Sequence, residues 1–345
     1  MFNTLITGPL GWILSSIYYV VRNYGLAIIC FCLVIKVILF PFTLKSKRAT
    51  FANARLQPKM QELQKKYKND KEKYSLELQK LYKEEKASPL SGCLPTLITL
   101  PILFGLYYVV TQPLTYLMKF STEVVVKIAD ALQKVGITDP TALEKFANVV
   151  KTGKSNVSVE IIMADYASQF ADKLRGIVPE LEGKEFFNFG FLGLNLSHTP
   201  TYHFSDPGFS WGLLVLLVVS VGTSFLSGWL MQKWNPMTSA ANADPNMQSA
   251  QSSTKMMLYI APVMTLFIGF SVPAAVSLYW ITNNVLTILS DLLANRIAKK
   301  KEEAIVQAKA EADARKKRNK KKAAEIDAAE GKSFAEEEAK EEKKE

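Results

Sequence analysis

Residues 24–44 are apolar almost without interruption, and the interruption is a lysine, Lys36. Twenty-one residues at ~1.5 Å each cover the ~30 Å hydrocarbon core of a bilayer, so the stretch is long enough to span it as a helix. A lysine near the centre of such a helix costs about 2.5–3.5 kcal/mol on insertion scales. Lys36 is therefore expected to face water, a partner or a substrate. Snorkelling is the plain alternative. Lys36 lies eight residues from the end of the run, roughly 12 Å by helical rise, and its stem can reach toward the headgroups.

The same hydropathy recurs along the chain. Of 345 residues 48% are hydrophobic, and besides 24–44 they cluster in 93–111, 211–231 and 256–293. The last run is interrupted at Ser271-Val272-Pro273 and reads as two short spans meeting at a tight outer turn. The expectation is an all-α polytopic membrane protein: five transmembrane helices with a cytosolic helical hairpin and a small helical extracellular cap.

Loop charge sets the orientation. Residues 45–90 carry 13 Lys/Arg against 6 Asp/Glu, residues 113–210 carry 9 against 11, and residues 294–345 carry 16 against 13. The positive-inside rule puts 45–90 and the C-terminus in the cytosol, and the N-terminus and 113–210 outside. The expected order is an extracellular interfacial amphipathic helix (1–22), transmembrane helix 1 (23–44), the cytosolic hairpin (45–90) and transmembrane helix 2 (91–112). The extracellular cap (113–210), transmembrane helix 3 (211–231) and a flexible cytosolic loop (232–254) follow. Transmembrane helices 4 (255–272) and 5 (273–293) then lead to a cytosolic charged tail (294–345).

Local patterns fill in this outline. The first twenty residues lack a basic start and a small-residue cleavage site, so no cleavable signal is expected. Their apolar stripe suits a helix lying on the outer membrane surface or packed against the bundle. In 45–90, Met60, Leu63 and Tyr67, then Tyr74, Leu78, Leu81 and Tyr82, make the seams of two packed helices turning at Asn69-Asp70. Amphipathic spacing over 123–135, 141–150 and 159–174 predicts the helices of the cap, and the phenylalanine-rich 185–196 is expected to dip against the bilayer surface. Cys30, Cys32 and Cys93 lie in or beside apolar spans and read as small hydrophobes.

The tail divides by charge. Residues 294–322 hold 12 basic and 4 acidic side chains, whereas 323–345 hold 4 and 9. The run Arg315, Lys316, Lys317, Arg318, Lys320, Lys321 and Lys322 suits ribosomal RNA or anionic lipid; a solvated helix is the plain reading.

Polar residues recur at helical spacing inside other runs: Ser220, Thr223, Ser224 and Ser227, then Trp280, Asn284, Thr287 and Asp291 with Asn283 beside them, and Thr96 with Thr99. Serines and threonines commonly serve close helix packing. Amides are costly in lipid without partners, so with Lys36 they predict a shared hydrated cavity open to the cytosol. Catalytic signatures are absent. His198 and His203 are the only histidines and fit no zinc spacing, a Ser–Lys dyad on Lys36 has no serine singled out for it, and no phosphate-binding glycine loop occurs. Neither enzyme chemistry, a metal nor a cofactor is expected.

The chain also resembles the YidC-type membrane insertases, in the shorter form typical of Gram-positive members. The match lies in Val34-Ile35-Lys36-Val37-Ile38-Leu39-Phe40-Pro41, Leu56-Gln57-Pro58-Lys59-Met60, Leu81-Tyr82-Lys83-Glu84 and Pro89-Leu90-Ser91-Gly92-Cys93-Leu94-Pro95. It continues in Phe191-Leu192-Gly193-Leu194-Asn195-Leu196, Met256-Met257-Leu258-Tyr259-Ile260-Ala261-Pro262 and Phe270-Ser271-Val272-Pro273-Ala274, running to Leu278-Tyr279-Trp280-Ile281-Thr282-Asn283-Asn284. The resemblance implies a bacterial plasma-membrane insertase with a hydrophilic groove closed to the outside, a hairpin needed for activity and a ribosome-contacting tail. Its implied partners are nascent membrane proteins, the ribosome, membrane lipids and in some settings the Sec translocon, with no small-molecule substrate.

The groove residues on this reading are Lys36, Thr99, Thr223, Trp280, Asn283 and Asn284. Two depart from the family pattern: Lys36 stands where arginine is usual and Thr99 where glutamine is usual. Lysine keeps the charge and loses the planar fork. The alternative class is a small-solute transporter or channel with Lys36 as its anion site. Transporters usually carry an internal repeat with matching broken helices, and these five runs show none.

Overall fold

The computed structural model describes residues 6–85, 94–155, 158–204, 209–236, 259–260 and 262–341, with the side chains of 94–100, 103, 320, 321 and 323–341 outside that description. It divides into two units, residues 1–295 and 296–345.

Helix α1 (Gly8–Val21) begins on a proline in its first turn and stops at Arg22, whose left-handed backbone (φ 56°) lets its N–H bond Tyr18 O at 2.8 Å. Leu10, Leu14 and Tyr18 are buried against the bundle, while Trp12 and Val20 face outward. Asn23 is extended and caps α2 (Tyr24–Lys66) by accepting from Leu26 N at 3.0 Å. The helix does not end where the hydropathy does. It runs 43 residues through Pro41 and Pro58, so the first apolar run and the first arm of the charged hairpin are one rod. Residues 45–66 are mostly good helix formers without glycine, and a proline costs one backbone bond without forcing a stop. Asp70 caps α3 (Lys71–Glu84), which folds back on α2 with Leu81 and Leu56 buried and Lys59 Nζ bonded to Glu85 Oε1 at 2.6 Å.

Helix α4 (Leu94–Thr111) leads through the single turn α5 (Pro113–Tyr116) into a helical subdomain: α6 (Thr122–Leu132), α7 (Pro140–Thr152), α8 (Val159–Gln169) and α9 (Ala171–Arg175). Ser121 and Asp139 cap α6 and α7, and Gly153 at φ 65° closes α7. Ile128, Leu132, Phe146, Ile161, Met163 and Leu174 fill its core. Glu160 is buried where α8 meets α5, accepting from Thr115 N at 2.5 Å and Thr115 Oγ1 at 3.0 Å. Burial raises its carboxyl to about 7, with the Thr115 donors pulling the other way.

Residues 186–198 form a strap across one end of the helices. Their strands β1 (Gly190–Phe191) and β2 (Leu194–Asn195) pair antiparallel and are the only strands among the described residues. Phe187 and Phe189 are not at a bilayer surface, as the sequence suggested: both are buried in protein, 4.9 Å from the Tyr18 ring and 4.7 Å from the Tyr24 ring respectively. The rings find a better environment there because the strap backbone is pinned on both sides. On one side Tyr24 N bonds Asn188 O (2.9 Å) and Asn23 Nδ2 bonds Gly190 O (2.7 Å). On the other, Ala274 N bonds His198 O (2.8 Å) and Ala275 N bonds Leu196 O (2.9 Å). Gly25 lies under Phe191, where a Cβ would stand 2.4 Å from the ring.

Helix α10 (Trp211–Trp234), α11 (residues 262–269) and α12 (Ala274–Glu341) complete the chain. Among the described residues, α2 and α10 are long and apolar enough to cross a membrane. Val37, Ile38 and Phe42 on α2, Phe104 on α4, Val218 on α10 and Phe267 on α11 are each more than half exposed. So broad an apolar surface suits lipid rather than water. The second unit is helical to Glu341.

Candidate functional site

The helices are packed tightly at the strap end and open toward the other. Every residue from Ala274 to Tyr279 on α12 is buried, as are Tyr24, Ala27, Ile28, Phe31, Cys32 and Ile35 on α2. From Lys36 to Ala52 on α2 and from Trp280 to Ser290 on α12, no residue is fully buried. Lys36 is the first residue of α2 past the closed zone, and Trp280 the first of α12.

Polar side chains occupy the opened segment and reach across it. Lys36 Nζ donates to Thr287 Oγ1 at 2.6 Å, and Thr287 donates in turn to Asn283 O at 2.6 Å. Asn284 Nδ2 donates to Ser224 Oγ at 2.9 Å and Thr223 Oγ1 at 3.3 Å, joining α12 to α10. Thr223 and Ser224 both donate back to Ser220 O, at 3.0 and 2.9 Å. Farther along, Lys47 Nζ contacts Asp291 Oδ2 at 3.0 Å. The result is a half-buried polar seam over α2, α10 and α12, flanked by the exposed apolar faces of the same helices.

Of the residues expected to line a groove, the structure places Lys36, Thr223, Asn283 and Asn284 in the seam's hydrogen bonds. Trp280 is half-buried against the core, and Asn283 contributes its carbonyl. Thr99 lies in α4, but its side chain is outside the described residues. Arg315, Lys316, Lys317, Arg318 and Lys322 are exposed on the helix of the second unit; the side chains of Lys320 and Lys321 lie outside the description. Lys47 was missed because it sits in the run Lys45–Arg48, which reads as the ordinary basic flank of a span. Its signal was the helical register of α2 continuing past residue 44.

Among the described residues, no three His, Cys, Asp or Glu side chains stand close enough to hold a metal. His198 lies 3.9 Å from buried Asp165, which also accepts from Asn195 Nδ2 at 2.9 Å. That cluster ties α8 to the strap, away from the seam. What the seam offers is an ammonium group and a ladder of hydroxyls and amides, apt for holding a carboxylate or an unpaired peptide segment.

Residues 16–302 match the family described as 60Kd inner membrane protein. A protein of Treponema denticola named membrane protein insertase YidC is 27% identical over 292 residues, 84% of this chain and 37% of that protein. Proteins of the same name from Haemophilus influenzae (strain PittEE) and Pasteurella multocida are 49% and 48% identical over 104 residues, 30% of this chain and 19% of each relative. The chain thus spans 19% to 37% of the length of these relatives.

Proposed function

The chain belongs to the 60Kd inner membrane protein family, and from that premise we propose that it is a membrane protein insertase and chaperone. It accepts the hydrophobic segment of a nascent protein in a groove open to the cytosol and releases it sideways into the bilayer, alone or beside the Sec translocon. The observation that carries this reading is the polar seam from Lys36 to Thr287 and Asn284, closed at the strap end and flanked by apolar helix faces. Three relatives named membrane protein insertase support it.

In this reading the protein sits in the bacterial plasma membrane with five spans, carried by the start of α2, α4, α10, residues 255–272 and the start of α12. The N-terminus and helical cap lie outside, and the hairpin and tail lie in the cytosol. The strap is the outer seal. Thr99 adds to the groove wall, and the basic run from Arg315 to Lys322 contacts the ribosome or anionic lipid.

The energetics need no nucleotide. Twenty apolar residues at 0.3–0.6 kcal/mol each favour insertion by roughly 6–12 kcal/mol, against about 2.5–3.5 kcal/mol for one acidic residue at the bilayer centre. The obstacle is the path, since the polar outer tail must cross before the apolar helix is settled. Lys36 attracts acidic residues of that tail, the hydroxyls and amides of the seam replace water around its backbone, and the wet groove shortens the low-dielectric distance.

Crosslinking tests this reading. A photoreactive residue at position 36, in protein reconstituted in vesicles, should capture a ribosome-stalled membrane protein, and the vesicles should insert that client after release. Absence of both capture and insertion, with uptake of a small anion instead, would replace the insertase by a transporter.

A further inference from the structure

Asp291 is the only carboxylate on residues 24–60 of α2, on α10, or on residues 274–295 of α12. It is also nearly inaccessible, its side chain 6% exposed and paired with Lys47, which is 17% exposed. The geometry around it is convergent. Lys36 and Lys47 are eleven residues apart on α2, about 16 Å along the axis, yet their partners Thr287 and Asp291 are a single turn apart on α12, about 6 Å. The two lysine stems therefore lean toward each other and deliver both ammonium groups to one turn of α12.

A groove built to attract acidic client segments would gain most from two free lysines. Here the protein fills half of that capacity with its own carboxylate. The two lysines that reach this turn carry +2, and Asp291 brings the site to +1, the charge that one entering carboxylate neutralises.

We propose that Asp291 is a specificity-determining residue, a built-in counter-ion that limits the groove to one client carboxylate at a time and lets it leave again. While the groove is empty, Asp291 holds Lys47 and keeps two unpaired charges from facing each other. An entering carboxylate exchanges onto Lys47 and passes inward to Lys36, while Asp291 stays beside whichever lysine is vacated. The site then holds two cations and two anions, and the client remains free to move on into lipid. This inference rests on the insertase reading and deepens it.

The test is Asp291→Asn in reconstituted vesicles, with clients whose outer tails carry zero, one or two acidic residues. Freed of its counter-ion, the +2 site should hold acidic tails several-fold longer, read as persistent crosslinks to position 36, and finish inserting them several-fold more slowly. Neutral-tailed clients should be slowed less than acidic-tailed ones. The double variant Asp291→Asn with Lys47→Gln returns the site to +1 without the ion pair, and should bring acidic clients back toward wild-type kinetics even if the single variant folds poorly.

A structural ion pair would behave otherwise: both variants would slow all clients alike, whatever their tail charge. That result, or no dependence on tail charge in a wild type that inserts its clients, overturns this inference and leaves the insertase reading intact. A wild type that inserts no client overturns the insertase reading itself.

Discussion

Lys36 on α2 and Thr287 on α12, 251 residues apart in sequence, meet at 2.6 Å, Lys36 directly after buried Ile35 and Thr287 about two turns past buried Tyr279. The lysine thus stands where α2 leaves the packed core and enters the segment in which no residue is fully buried.

Charge at this position should matter more than shape. Lys36→Arg should retain insertion, since guanidinium also donates to hydroxyls and carboxylates. Lys36→Ala or Lys36→Glu should slow clients with acidic outer tails by roughly tenfold or more, on the scale of one lost charge-assisted hydrogen bond, and spare neutral ones. Insertion kinetics for a matched pair of clients decide it. Equal rates for Lys36→Ala and wild type with every client would reduce Lys36 to a snorkelling residue.

Glu160 should make the fold sensitive to pH. Its folded carboxyl titrates at about 7 against an ordinary 4.5, so the folded state binds the proton more tightly than the unfolded state. The associated stability is fully present below 4.5 and is lost as pH rises through about 7, a span worth about 3 kcal/mol. Thermal unfolding in detergent from pH 5 to pH 8 should show a falling midpoint for wild type and a flatter profile for Glu160→Gln. Parallel profiles would contradict the assignment.

Tyr18 should hold the strap. Its hydroxyl donates to Phe186 O at 3.3 Å and accepts from Asn188 N at 2.8 Å, and its ring lies against Phe187. Tyr18→Phe keeps the ring and loses both bonds, which should cost about 1–3 kcal/mol of stability because Asn188 N–H is left without its acceptor. The melting midpoint reports it, and an unchanged midpoint would show the strap to be held by packing alone.

The basic tail should act through phosphate. Removing residues 296–345 should weaken ribosome binding, and the lost component should be the part of wild-type affinity that falls steeply between low and physiological salt. Cosedimentation at two salt concentrations measures it; a truncated protein that pellets as well as the full chain would remove the tail from the mechanism.

Much of this was legible in the sequence, for a physical reason. Hydropathy reports burial in lipid, so Lys36 and Asn284 stood out as polar residues where none is free of cost. The same signal is silent about helix continuity, and α2 passes from an apolar to a charged environment at residue 44 without a break. It was misleading for Phe187 and Phe189, because a protein core and a bilayer surface ask for the same side chains, and only the hydrogen bonds pinning the strap backbone distinguish them. Asp291 was visible as a polar residue on its helix face. Its pairing with Lys47 was not, because it depends on how two distant helices are placed. Glu160 gave no sign at all, being one carboxylate among many in a polar segment.

The seam should be wet from the hairpin side and sealed at the strap. Single cysteines at 36, 223 and 284, in a background without Cys30, Cys32 and Cys93, can be exposed to a membrane-impermeant maleimide in oriented vesicles. All three should be labelled from the cytosolic face and protected from the outer face. Labelling from both faces, or from neither in a folded protein, would contradict it.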